Sequence, residues 1–120
     1  MMQAKAIQLK RAYEAPEASD GKRILVERLW PRGVSKSEAA IDCWMKEIAP
    51  STELRKWYNH ELDRWGDFQE KYKAELTQNL DAVSQLEQLC KHGKVTFVYA
   101  AKDEQHNSAV VLKDFITSSR

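Results

Sequence analysis

The segment KVTFVYAA, residues 94–101, constrains the fold most, because it is the clearest strand in the chain. It is almost wholly apolar and rich in β-branched and aromatic residues, which favour strands. A strand with no polar face is typical of a parallel sheet, where helices or loops cover both sides. We therefore expect this segment at the centre of an α/β fold.

The remaining strands are shorter and less distinct. Alternating residues predict a first strand at 4–9, and a second follows at 23–27. The intervening stretch, 13–21, contains Pro16 and the turn signal Ser19-Asp20-Gly21, so we predict a loop there. A third, short strand is predicted at 41–45.

Capping signals and apolar stripes predict helices between these strands. Ser35 and Glu38 match a capping box, and a helix is expected to open at 50–52. Asp67 and Glu70 form a second predicted capping pair. Two apolar stripes at helical spacing follow, the first at Phe68, Tyr72 and Leu76 and the second at Val83, Leu86, Leu89 and Cys90. A last helix is predicted at 107–117.

Strands alternating with helices predict a small three-layer α/β/α domain with a mostly parallel central sheet of about four strands. The 120 residues are expected to form one domain, 1–120. No apolar run approaches the roughly 20 residues of a membrane span, so no membrane association is expected. The first residues lack the apolar core of a secretory signal. Cys43 and Cys90 form no disulfide or zinc pattern, and a cytoplasmic location is expected.

Positive charge is concentrated near the start of the chain. Residues 1–37 carry a net charge of +4, and the remainder carries −3. The excess surrounds the segment RILVERLWPRGVSK, residues 23–36. It is too small to indicate general affinity for nucleic acid, which usually requires a clearly basic domain.

The end of the second strand is the first candidate for a binding site. Arg28 and Arg32 can bind carboxylate or phosphate through two parallel hydrogen bonds each. Gly33 allows close backbone approach, Lys36 adds charge, and Trp30 could stack on a ring. The alternative is structural: Arg28 pairs with an acid, Trp30 is core, and Pro31 to Gly33 is a turn.

The end of the strand at 94–101 is the second candidate. Lys102 and Asn107 could face the same pocket, and Asp103 or His106 could act as acid or base. The structural alternative is that Asn107 or Asp103 caps the following helix and His106 lies on the surface. His60 could project into the cleft and act as acid or base there, or bond a backbone carbonyl instead.

Several chemistries lack their motifs. Neither cysteine is spaced from an arginine as a cysteine phosphatase or rhodanese loop requires. Dinucleotide and Walker glycine motifs are missing, as is the serine-hydrolase motif G-x-S-x-G. His60, His92 and His106 lack metal-ligand spacing. No cofactor or metal is expected.

Three segments give the chain a family resemblance: SDGKRILVERLWPRGVSK, APSTELRKWYNHELDRWGDFQEKYKAEL and VTFVYAAKDEQHNSAVVL. They resemble the YeaO-like branch of a bacterial family of unknown function, from about residue 10 to residue 115. The resemblance implies a small cytoplasmic α/β protein. It directs attention to Arg28, Trp30, Pro31, Arg32, Gly33, Lys36, His60, Lys102 and Asn107. Related branches carry a cysteine after the last strand, where this chain has Ala100-Ala101-Lys102, so thiol chemistry is not implied.

The leading hypothesis is a pocket at the strand ends for a small ligand bearing phosphate or carboxylate. Whether the protein is an enzyme on such a ligand stays open, since no nucleophile is evident. One alternative is nucleic-acid binding through the basic segment. Another is a non-catalytic interaction module that uses Trp57, Tyr58 and Trp65, and the sequence does not indicate the oligomeric state.

Overall fold

The computed structural model describes residues 7–118, which form a four-stranded sheet with five α-helices. All strand pairs are parallel, and the strand order is β1-β4-β2-β3. The strands are β1 (Ile7–Arg11), β2 (Lys22–Leu25), β3 (Cys43–Trp44) and β4 (Val95–Tyr99). The helices are α1 (Lys36–Ala39), α2 (Thr52–Tyr58), α3 (Trp65–Thr77), α4 (Leu80–Lys91) and α5 (Ser108–Thr117). The predicted α/β fold is confirmed.

Strand β4 lies at the centre of the sheet, as its composition predicted. It pairs with β1 on one side and with β2 on the other, so that Phe97 lies between Leu9 and Ile24. Every residue of β4 is buried. The absence of a polar face is therefore explained by cover on both sides of the sheet.

Helices α2 to α5 cover one face of the sheet and form the main core with it. The predicted stripe of α3, Phe68, Tyr72 and Leu76, is fully buried there. Val83 and Leu86 of α4 and Val111 and Ile116 of α5 join the same core. This is the thick side of the domain, where apolar burial supplies most of the stabilisation.

The other face of the sheet has a thin cover made of loops and α1. Its apolar part is small, with Leu25 and Val98 of the sheet packed beneath Trp30, Ile41 and Trp44. Charged side chains supply the rest of the contact. The layer on this face therefore depends on polar bonds more than the helical layer does.

Asp20, which is fully buried, joins the thin layer to three strands. Its carboxylate accepts hydrogen bonds from Lys10 of β1 at 3.1 Å and from Arg23 of β2 at 2.6 Å. Its backbone carbonyl accepts one from Thr96 of β4 at 2.7 Å. Arg23 also donates to the carbonyl of Ala39 at 2.9 Å, which ties α1 to the sheet. Asp20 thus holds the loop before β2 and, through Arg23, the helix after it.

The pKa of Asp20 lies well below its usual range. Burial alone would raise it, but hydrogen bonds from the Glu17 amide and from Lys10, Gln8 and Arg23 lower it further than burial raises it. A carboxylate stabilised in this way favours the folded state wherever it is ionised.

Some predicted boundaries differ from the structure. Residues 4–6 of the first predicted strand lie outside the described residues, and β1 continues to Arg11. Strand β2 ends at Leu25, two residues earlier than predicted, and β3 comprises only Cys43 and Trp44.

The predicted capping pair of Asp67 and Glu70 is wrong. Helix α3 begins at Trp65, directly after a 3-10 turn at Leu62–Arg64, so Asp67 lies inside the first helical turn. The predicted capping box of Ser35 and Glu38 is confirmed, as is the cap considered at Asn107, and Ser51 caps the helix that was expected to open at 50–52. Ser35, Ser51 and Asn107 each accept a hydrogen bond from an amide three residues later.

Within residues 7–118, no helix is both long enough and apolar enough to cross a bilayer.

The first prediction concerns Asp20. We expect Asp20→Asn to lower the free energy of unfolding by about 3–5 kcal/mol, because it leaves Arg23 buried without a counter-charge and Lys10 with only the exposed Glu17. The folded-state pKa is depressed, so the contribution is present above about pH 4 and is lost as the pH falls further. Urea unfolding followed by tryptophan fluorescence, at about pH 7 and about pH 3, measures both effects.

Glu17→Gln is the matched control. Glu17 also bonds Lys10, at 2.7 Å, but its side chain is 66% exposed. Its loss should cost less than about 1 kcal/mol, as for other exposed ion pairs. Equal costs for the two variants would show that burial of Asp20 is not what makes it important.

Candidate functional site

Arg28 leaves the end of β2 and reaches toward the turn before α2. Its Nε donates to the carbonyl of Pro50 at 2.9 Å, and its Nη2 donates to the carbonyl of Ala49 at 3.2 Å. Among the described residues its Nη1 has no acceptor, and no carboxylate lies within 4.0 Å of the guanidinium. The side chain is partly buried. It is therefore a cation with two carbonyl partners but without a paired anion.

Arg28 lines a cleft of about 460 Å³ between α3 and the turn that precedes α2. The size falls in the range of small-molecule sites, about 300–1,000 Å³. Ile48, Ala49 and Leu76 give the cleft an apolar surface. The other lining residues are Glu47, Ser51, Tyr72, Ala74, Glu75, Gln78 and Asn79.

Both hydroxyl groups in the cleft are already engaged. Ser51 Oγ donates to Glu75 at 2.6 Å and accepts from the amide of Leu54 at 3.1 Å. The Tyr72 hydroxyl donates to the carbonyl of Ile48 at 2.6 Å, and burial raises the pKa of Tyr72 far above its usual value. The Tyr72 hydroxyl is therefore not prepared to act as a nucleophile at neutral pH, and Ser51 Oγ serves as the cap of α2.

Glu27, the residue before Arg28, reaches toward the end of β4, and its charge also acts on the Tyr72 hydroxyl. Its carboxylate accepts from the amide of Ala100 at 3.0 Å. Burial raises the pKa of Glu27, while the Ala100 amide and the charges of Arg55 and His60 oppose the rise. No cation lies within ion-pair distance of it in the part of the chain that the structure describes.

His60 stands near Glu27 on a strained backbone. Asn59 and His60 both have left-handed conformations, with φ of 46° and 56°. Such residues are uncommon outside glycine and cluster at functional sites. The His60 ring lies 5.9 Å from the ring of Tyr58, and none of the hydrogen bonds within residues 7–118 includes its side chain.

Asp103, His106 and Asn107 form a compact turn after β4. His106 Nδ1 lies 3.0 Å from Asp103, and Trp65 packs edge-on against the imidazole at 5.2 Å. The pKa of Asp103 is lowered, chiefly by the amide of Gln105 and also by His106. Asn107 caps α5 and donates to the carbonyl of Asp103 at 2.8 Å. Asn107 therefore caps α5, as the structural alternative predicted.

The other predicted ligand-binding residues do not line the Arg28 cleft. Trp30 donates to the carbonyl of Val34 at 2.6 Å and packs edge-on against Trp44. Arg32, Gly33 and Lys36 are exposed on the thin side of the sheet, and the Arg32 carbonyl accepts from Tyr13. Lys102 is exposed beyond β4. Of the predicted ligand-binding set, Arg28 is the member that borders the cleft.

Sequence reasoning missed Glu27, Arg55 and Glu75. Glu27 ends the predicted second strand, and its position there was the available signal. Arg55 and Glu75 lie in helices where charged residues are common, and nothing in their spacing sets them apart. Tyr58, predicted as an exposed contact residue, is instead buried, whereas Trp57 and Trp65 are partly buried.

A family model described as "Inactive DUF488-N3 subclade" matches residues 6–119. The uncharacterised protein YeaO of Escherichia coli K12 is 47% identical over 112 residues, which is 93% of this chain and 97% of the relative. Uncharacterised proteins of Mycobacterium bovis and Mycobacterium tuberculosis H37Rv are each 34% identical over 116 residues, covering 97% of this chain and 98% of the relative. No solved structure matches. The resemblance to the YeaO-like branch is confirmed.

The second prediction concerns Glu27. Its folded-state pKa is raised, so ionisation opposes folding, and this cost appears as the pH rises through that pKa. Glu27→Gln keeps an acceptor for the Ala100 amide and removes the charge. We expect it to raise the free energy of unfolding by about 0.5–2 kcal/mol at about pH 7, with the gain fading as the pH falls toward about 4, near the pKa of a glutamate in the unfolded chain. Urea unfolding across this pH range measures it.

Glu70→Gln, on the exposed side of α3, is the control and should leave the pH profile unchanged. A Glu27→Gln variant that is less stable than the parent at neutral pH would contradict the assignment of a destabilising charge.

Proposed function

Because the chain belongs to the inactive DUF488-N3 subclade, we propose that it binds a small anionic ligand in the Arg28 cleft and performs no covalent chemistry there. The ligand would carry a phosphate or carboxylate group. Of the two arginines that the sequence suggested as ligands, Arg28 and Arg32, the proposal assigns anion binding to Arg28.

The observation that carries the proposal is the state of Arg28. A guanidinium is a rigid fork that suits planar anions, and two of its nitrogens are held here by the carbonyls of Ala49 and Pro50. This fixes its orientation before any ligand arrives. Because Nη1 has no protein acceptor among the described residues, an anion could bind without displacing a protein group.

The cleft itself supports a ligand of small size. A volume of about 460 Å³ accommodates more than a lone ion, and Ile48 and Leu76 provide apolar contact for a carbon skeleton. Polar groups that fix orientation within a mostly apolar pocket are the usual pattern of small-molecule sites.

The state of the possible nucleophiles supports binding without reaction. The hydroxyls of Ser51 and Tyr72 are engaged, as described above. Cys90 is buried in the core, and burial raises the pKa of its thiol to about 11, which suppresses the reactive thiolate. The description of the subclade as inactive agrees with this proposal. An enzymatic role would need an activated nucleophile, and the Ser51 hydroxyl that bonds Glu75 is used as the cap of α2.

Two alternatives have less support. Nucleic-acid binding relied on Trp30 as a stacking face, and that ring packs against Trp44. The interaction module relied on three exposed aromatics, of which Tyr58 is buried. We propose a cytoplasmic setting, in keeping with the two free cysteines.

The third prediction tests the anion site directly. Titration with inorganic phosphate and with acetate, followed by amide NMR shifts, should give saturable changes at Ser51, Gln78 and Asn79. Arg28→Gln should weaken this binding by about tenfold or more, the effect of about 1.4 kcal/mol. Arg32→Gln removes the same charge from an exposed site outside the cleft and should leave the affinity within about twofold.

A second variant keeps the test valid if Arg28→Gln is unstable. Ala74 is exposed on α3 and lines the cleft, so Ala74→Glu adds a repelling carboxylate without touching the core. Ala15→Glu, in an exposed loop, controls for net charge. Anion binding that survives both Arg28→Gln and Ala74→Glu would overturn the proposal.

A further inference from the structure

We infer that the ligand of the Arg28 cleft is a zwitterion. Its anionic group would bind Arg28, and its ammonium group would bind the acidic wall of the same cleft, formed by Glu47 and Glu75. This inference rests on the proposed function and narrows the class of ligand.

The cleft contains charges of both signs that do not pair with each other. Arg28 and the carboxylate residues Glu47 and Glu75 all line it. Within residues 7–118, none of the ion pairs shorter than 4.0 Å includes any of the three. Opposite charges that share a cleft without contact leave space for a ligand that meets both.

Glu75 is oriented by neutral donors. Its two oxygens accept from the amide of Ser51 at 2.8 Å and from Ser51 Oγ at 2.6 Å. These bonds hold the carboxylate in place but leave its negative charge unbalanced. A carboxylate oxygen can accept more than one hydrogen bond, so an ammonium group can still bind.

Tyr72 shows that Arg28 and Glu75 act on the same region. Burial has the largest effect on the pKa of the Tyr72 hydroxyl, and the charge of Glu27 also raises it; of the two cleft charges, Glu75 raises this pKa and Arg28 lowers it. Both charges therefore lie close to this hydroxyl at the cleft, although they form no ion pair. A purely anionic ligand would be attracted by Arg28 and repelled by Glu75. A purely cationic ligand would be attracted by Glu75 and repelled by Arg28.

Apolar residues lie among the charged ones. Ile48, Ala49 and Leu76 line the cleft together with Arg28 and Glu75. They suit a short chain of methylene groups. An amino acid or ω-amino acid has this arrangement: one carboxylate, one ammonium group and an apolar spacer.

The fourth prediction compares zwitterions with their N-acetyl derivatives, which keep the carboxylate and lose the positive charge. The probes are glycine, β-alanine and γ-aminobutyrate, each with its N-acetyl analogue, titrated by amide NMR. At least one zwitterion should bind about tenfold more tightly than its acetylated analogue. The series varies the distance between the two charges, so the preferred member reports the spacing.

Two variants identify the acidic wall. Glu75→Gln and Glu47→Gln, tested separately, should each reduce the preference for the zwitterion. Glu47 is exposed, and its side chain has no hydrogen bond among those described, so its replacement should not disturb the fold. Affinity for the acetylated analogue should stay the same or rise. Glu70→Gln, also on α3 but outside the cleft, should preserve the preference.

Two outcomes would count against the inference, and they differ in what else they overturn. Acetylated analogues that bind as tightly as every zwitterion would overturn the zwitterion and leave the anion site intact. No binding of phosphate, acetate, zwitterions or analogues would overturn the proposed function together with the inference.

Discussion

The rest of the structure depends on the burial of β4 on both faces of the sheet. All five residues of this strand are buried, so the chain must supply two covering layers. Four helices supply one of them through a large apolar core. The second layer has few apolar residues, and it is attached instead through the buried carboxylate of Asp20. A buried charge is costly unless it is fully bonded, so Lys10, Arg23 and the Glu17 amide must all be in place. This requirement fixes the loop before β2.

The position of the Arg28 cleft follows from the same two-layer plan. Strand β2 delivers Glu27 and Arg28 to the carboxyl edge of the sheet, where ligands bind in open α/β folds. Glu27 accepts from the amide that follows β4, while Arg28 donates to the carbonyls of the turn before α2. One strand end therefore produces two polar environments. The first places a carboxylate with a raised pKa near His60, and the second places an oriented guanidinium in a ligand-sized cleft.

Membership of a subclade described as inactive fits the chemistry of these environments. The hydroxyls near Arg28 are used for structure, and the position after β4 holds Ala100, whose amide bonds Glu27. The remaining charged side chains of the cleft, Arg28, Glu47 and Glu75, surround a cavity, and this arrangement is suited to binding a ligand. The raised pKa of Glu27 marks a destabilising charge, whereas the left-handed conformation of Asn59 ends α2 as an ordinary C-cap.

The sequence by itself determined the α/β class, the central strand, the apolar stripe of α3 and three of the helix caps, because these depend on residues close together in the chain. It also identified Arg28 as a candidate anion ligand. It did not predict the surroundings of Arg28. The carbonyls of Ala49 and Pro50 that it bonds, and the Tyr72 and Glu75 side chains that share its cleft, come from segments about 20 to 50 residues away and have no distinctive spacing. It placed Arg32 and Lys102 beside Arg28 because all three follow strands, whereas the tertiary structure directs Arg28 into the helical side and leaves the others exposed. Local patterns specify elements, but only packing decides which charges share a cleft, because that depends on how side chains from distant segments fill the space around one strand end.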